Sequence, residues 1–140
     1  MNLTDWTVNY VKHKDLILKN LISFNVKQKI IEFIFKDRIH DYFIEENLKI
    51  ENIRPIYDKN TNHQKTIVCI HKKDNFNFLI ENWSELVKQN VTYIFVNIEH
   101  NDKLIINPML HNKIADQKSL IQGLKTMFDA AEGKIVTNIL

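Results

Sequence analysis

The stretch from residue 66 to residue 98 constrains the fold more than any other part of the chain. It reads as a buried strand (66–70), an amphipathic helix (76–88) and a second buried strand (91–98). Phe76, Leu79, Ile80, Trp83, Leu86 and Val87 make one apolar helix face. Two all-apolar strands flanking one helix mark a β-α-β crossover, which requires a sheet covered on both faces. No nucleotide loop, metal-ligand spacing or nucleophile motif accompanies it, so the architecture is better specified than the function.

A chain of 140 residues, 44% hydrophobic, is expected to form one domain with its own core. Its 19 basic and 17 acidic residues leave a net charge of +2, which neither demands nor excludes a nucleic-acid partner. The single cysteine, Cys69, rules out an internal disulfide and reads as a small buried hydrophobe in mid-strand. The first residues lack the basic-then-apolar pattern of a signal peptide, and no apolar run approaches the ~20 residues of a membrane span. A cytoplasmic protein without a membrane partner is the expectation.

Elsewhere, Thr4 or Asp5 is placed to cap a first helix that should end near Ser23. Residues 27–35 and 39–44 are β-branched and aromatic, and Lys36-Asp37-Arg38 can turn the chain into a hairpin. Residues 47–65 read as a surface connection with room for a short strand or helical turn near Ile50 to Ile56, residues 58–65 being its most flexible part. Residues 104–106 form a short returning strand, Met109 to Ile114 suit one helical turn, and Asp116 caps a last helix ended by Gly133. The expected fold is a single α/β domain, order α-β-β-β-α-β-β-α, with a mixed sheet of about five strands and helices on its faces.

This order of elements resembles the restriction-endonuclease-like fold of resolvases and repair nucleases, over roughly residues 4–98. The resemblance implies an Asp on the second strand and a carboxylate-x-Lys on the third, the carboxylates holding Mg²⁺ and the Lys orienting the attacking water. Asp41 stands where the second-strand Asp would be. On the expected third strand, Cys69, His71 and Lys73 carry the spacing without a carboxylate, so a Mg²⁺ site would borrow Glu45 or Glu32 from the hairpin. Catalytic candidates are therefore Asp41, Glu45, His71 and Lys73. The competing reading makes Asp41 a buried residue of the Ile39–Phe43 face, ion-paired to Arg38, Lys36 or a lysine of the first helix.

The six histidines show no His-x-x-x-His spacing; His63 and His100 read as solvated loop residues. His71, at the C-terminal end of a buried strand, lies where open α/β sheets place ligands. The segment holding Asn107, His111 and Asp116 reads first as a tightly packed loop, with a recognition loop beside His71 as its functional alternative. Lys27 and Lys29, expected on one strand face, and Lys72 and Lys73 after the buried strand are the phosphate-binding candidates for DNA or RNA. The sequence favours a non-catalytic binding domain with a degenerate nuclease-like fold and no cofactor. One alternative is a metal-dependent nuclease with a rearranged site, the only reading that needs Mg²⁺. The other is an interaction or homodimerisation module using residues 135–140 or an uncovered sheet edge.

Overall fold

The computed structural model describes residues 1–113 and 116–131. They form one six-stranded mixed sheet with helices on both faces. The elements are α1 (Leu3–Lys14), β1 (Leu21–Lys27), β2 (Ile30–Phe35), β3 (Ile39–Ile44), α2 (Ile50–Asp58), β4 (Gln64–Ile70), α3 (Lys73–Glu81), α4 (Trp83–Leu86), β5 (Thr92–Asn97), β6 (Asp102–Ile106), α5 (Pro108–His111) and α6 (Gln117–Ala131). The strands lie in chain order, β1 to β6. β1, β2 and β3 are antiparallel neighbours, β3-β4 and β4-β5 are parallel, and β6 returns antiparallel to β5. The two apolar segments around Trp83 are thus parallel neighbours in one covered layer, as expected for a crossover.

Strand alternation divides the core in two. On one face Ile31, Phe33, Tyr42, Ile44, Val68 and Ile94 pack under Leu3, Trp6 and Val11 of α1. On the other, Phe43, Ile67, Cys69, Tyr93 and Phe95 pack under apolar residues of α2, α3, α4 and α6. Both tryptophans are core residues, as their helical spacing predicts.

The first helix is shorter than its apolar pattern suggests. Asn2 caps it, accepting from the Asp5 N–H at 2.8 Å, and it stops at Lys14. The Asp15 carboxylate then accepts the Asn20 and Leu21 N–H groups, and Lys19 turns through a positive φ of 52°. That frees Leu21–Lys27 to form an edge strand, and the sheet gains a sixth member. The expected strand 27–35 is divided by a two-residue turn at Gln28-Lys29, Gln28 taking a φ of 56° without the glycine that usually marks such a turn. Lys27 therefore ends β1 and Lys29 lies in the turn, so they do not share a strand face.

Residues 50–58 form a helix despite Pro55, burying Ile53 and Ile56. The predicted helix 76–88 starts at Lys73 and breaks at Asn82, whose side-chain amide donates to the Phe78 carbonyl at 2.9 Å. Asn75 does not cap it. Buried in the first turn, Asn75 donates to the Glu46 and Ile70 carbonyls and accepts the Leu48 N–H, tying the chain after β3 to the end of β4. Asp116 caps α6 through the Ser119 N–H and hydroxyl, both at 3.0 Å. Gly133 and the apolar segment 135–140 lie outside the described residues.

Candidate metal centre

The strand register sets four polar residues in one row. Asn25 on β1 pairs with Glu32 on β2, Glu32 with Asp41 on β3, and Asp41 with Lys65 on β4. Asp41 and Lys65 share the face of Phe43 and Ile67, opposite α1. Asp41 is 1% exposed. Its Oδ2 receives two side chains from the segment between α2 and β4: His63 Nδ1 at 2.9 Å and Asn60 Nδ2 at 3.2 Å. Asn60 adopts a φ of 43°, a conformation asparagine tolerates better than most residues. Asp41 Oδ1 is buried and has no hydrogen-bond partner among the described residues.

Glu32, Asp41 and His63 each present one ligand atom, and these atoms all lie within 4.8 Å of one another. A buried carboxylate with an open oxygen is costly unless something cationic meets it. Two carboxylate oxygens and an imidazole make a donor set that suits a divalent transition ion such as Mn²⁺, whereas Mg²⁺ would be held by the carboxylates alone. The residues present therefore fit a cation. His63 and Lys65 also line a cleft of about 500 Å³, walled further by Tyr57, Asn62, Gln64, Asn90 and Asn107.

The site unites one predicted catalytic residue with others. Asp41 lies on the third strand of the antiparallel run, not the second, because β1 precedes the expected hairpin. Its partners are His63 and Asn60 rather than Arg38, Lys36 or a helix-1 lysine. Glu45 lies beyond β3, four residues and about 13 Å of strand from Asp41. Burial raises its carboxyl above the usual range, with Lys29 and Lys59 opposing. His71 and Lys73 follow the far end of β4, and Lys65 to His71 spans about 20 Å. His71 stacks on Phe128 at 3.9 Å between ring centroids, within the core under α6. Glu45, His71 and Lys73 are therefore not part of the Asp41 cluster.

The remaining candidates divide similarly. Lys27, Lys29, Lys72 and Lys73 all lie toward the end of the sheet where β3 and β4 finish. Glu45 and Glu46 share a depression there with Lys29, and Lys72 Nζ bonds Asn47 Oδ1. The lysines thus do not make an uninterrupted basic patch. Asn107 is buried, donating to Asn90 Oδ1 at 3.0 Å and Thr92 Oγ1 at 3.2 Å and accepting the Leu110 N–H at α5. His111 Nδ1 rests on the Asn107 backbone, 3.1 Å from its nitrogen and 2.8 Å from its oxygen. Asn107 therefore stands by Thr92, at the start of β5. His71 bonds Val96 near the strand's end, so the loop is not beside His71. Asp116 serves α6 and joins neither residue.

Sequence reasoning missed His63, Asn60 and Lys65. No local signal marks them: they come from a polar connection, and only the parallel register of β3 and β4 carries them to Asp41. Glu32 was legible as a carboxylate on a strand beside Asp41's. The chain matches no protein-family model, no curated protein and no solved structure. No helix among the described residues is long and apolar enough to cross a membrane.

Proposed function

We propose that the chain is a divalent-cation-dependent phosphodiester hydrolase acting on nucleic acid, with Glu32, Asp41 and His63 as cation ligands. The observation that carries this reading is the partnerless Oδ1 of buried Asp41, set within 4.8 Å of donor atoms from Glu32 and His63. The order of elements supports it. α1, the antiparallel run β1-β2-β3, α2 and the parallel β4 give the arrangement implied by the nuclease resemblance, with carboxylates on the second and third strands. The chain departs from that pattern at Phe43, where the lysine would stand. Lys65, Asp41's neighbour on β4, supplies the nearby ammonium instead.

When bound, the cation would polarise a phosphoryl oxygen and lower the pKa of a water. The protein's share is positional. Glu32 and Asp41 project from adjacent rigid strands, which fixes their separation. Without a cation, Asn60 and His63 hold Asp41 Oδ2 and leave Oδ1 open; to serve as a ligand His63 would exchange its hydrogen bond to Oδ2 for the ion. Lys65 sets a positive charge beside the carboxylates, where a phosphodiester would otherwise be repelled. The amides of Asn62, Gln64 and Asn90 line the adjoining cleft with donors and acceptors suited to base edges.

A second reading, a non-catalytic nucleic-acid-binding domain, is favoured by the two bonds already made to Asp41 Oδ2. These would then be a polar lock between β3 and the segment before β4. Cation uptake and cleavage of DNA and RNA in Mg²⁺ or Mn²⁺ distinguish the two. The hydrolase requires both, with cleavage lost in folded Asp41→Asn and Glu32→Gln variants. Absence of cation uptake and cleavage overturns it, and salt-sensitive retention of nucleic acid without cleavage would establish the second reading.

A further inference from the structure

β1 is the outer strand of the sheet. It pairs with β2 on one side and with no strand among the described residues on the other. Phe24 and Val26 are register partners of Phe33 and Ile31, so they face the α1 side. α1 rests chiefly over β3 and β4 and leaves Phe24 and Val26 partly exposed. Ile22 is 64% exposed, Phe24 38% and Val26 45%, and the turn leading into the strand exposes Leu16, Ile17 and Leu18 by 62%, 91% and 70%. Edge strands are normally blunted by charge, proline or a covering element. Between Leu21 and Val26 there is no charge and no proline.

We infer that β1 pairs antiparallel with β1 of a second copy, about a two-fold axis at Phe24, so that the sheet runs on through both chains. The strand's own pattern selects this occupant. Folding the sequence back on Phe24 sets Ile22 against Val26 and Ser23 against Asn25. Phe24 and Val26 bring apolar side chains to the α1 face, and Ser23 and Asn25 bring hydrogen-bonding ones to the other, as cross-strand pairing favours. The β-bulge at Ile22, between Leu21 and Ser23, limits the regular part of this pairing to Ser23–Asn25 and their symmetry mates.

Charge agrees as well. The strand's one charged residue, Lys27, meets the Leu21 end of the other copy. There Asp15 holds the Asn20 and Leu21 N–H groups. The symmetry repeats that Lys27–Asp15 approach, and no like charges face each other along the strand. The Lys12 ammonium lies 5.0 Å from the Phe24 ring centroid, on the helix side. Leu16, Ile17 and Leu18 continue the exposed apolar surface beyond the Leu21 end of the strand.

The test is sedimentation velocity on the full chain across 1–100 µM, with cross-linking to read the register. The expected result is a reversible dimer of twice 16.7 kDa. Val26→Lys and Phe24→Lys, both at exposed positions, weaken it at least tenfold while leaving the circular dichroism spectrum unchanged. Phe24→Cys forms a symmetric interchain disulfide under mild oxidation, because it faces itself across the axis at about 5.5 Å between Cα atoms. Val26→Cys, offset from its own copy, does not.

A chain that stays monomeric at 100 µM overturns the proposal, as does a dimer indifferent to both lysine variants. So does a dimer lost instead on changing Ile135 and Ile139 to Asp, which would assign the contact to residues 135–140.

Discussion

His63 places its Nδ1 2.9 Å from Asp41 Oδ2, across 22 positions of sequence, and so pins the connection between α2 and β4 onto the third strand. The other oxygen of the same carboxylate is left open in the interior. Asp41 is thereby half satisfied by protein and half presented to something else.

Cation binding should stabilise the fold. A ligand at 100 times its Kd adds about 2.7 kcal/mol. For a chain of this size that corresponds to a rise of several degrees in Tm. Calorimetry with and without Mn²⁺ is expected to show this rise in the wild type. It should be absent in Asp41→Asn and Glu32→Gln.

Acid should destabilise the protein through His40. Its Nε2 lies 2.7 Å from Thr66 Oγ1, and its ring stacks on Tyr42. Burial lowers its pKa to about 4, with Arg38 and Lys14 adding in the same direction. The folded state therefore keeps His40 neutral where the unfolded chain, near 6.5, takes a proton. The contribution is fully present above pH 6.5 and is lost as pH falls through 4, about 3 kcal/mol in all. Urea midpoints across this window should fall for the wild type, and His40→Gln should remove much of the slope.

Asn75 should be among the least replaceable polar residues. Its side chain accepts the Leu48 N–H, donates to the Ile70 carbonyl and shares the Glu46 carbonyl with the Ile70 N–H. Asn75→Ala removes all three bonds, leaving the Leu48 N–H unmet, and is expected to cost about 2 kcal/mol in urea denaturation. Asn75→Asp should also destabilise, because a carboxylate cannot donate to the Glu46 and Ile70 carbonyls.

The Cys69 thiol should be inert in the native state. It is fully buried, its Sγ lies 3.6 Å from the Ile94 carbonyl oxygen, and burial pushes its pKa well up. Iodoacetamide labelling followed by mass spectrometry should proceed only as fast as the protein opens.

The parts of the fold that could be read from the sequence are those where burial shows in the residues themselves. Strands β4 and β5 are continuous apolar runs, and the faces of α1 and α6 recur at helical spacing. β1 escaped notice because its apolar residues follow directly on Leu16, Ile17 and Leu18, which blur the end of α1. The turn at Gln28 lacks glycine, so β1 and β2 merge into one run. The site was half legible. Asp41 stood out as an acid between Ile39 and Phe43, whereas His63 and Lys65 carry no such contrast. Their role follows from a parallel register that no local pattern encodes.

The spatial sequence of strands repeats their order along the chain, so none has to be threaded between two already in place. Such a sheet can assemble from a growing edge, each new strand docking on the one made just before it. The largest loop closures are then those of single crossovers, a topology that keeps the entropic barrier to folding low for a six-stranded sheet. A ribosome-bound chain could complete the Glu32–Asp41–Lys65 row while β5 and β6 were still being synthesised.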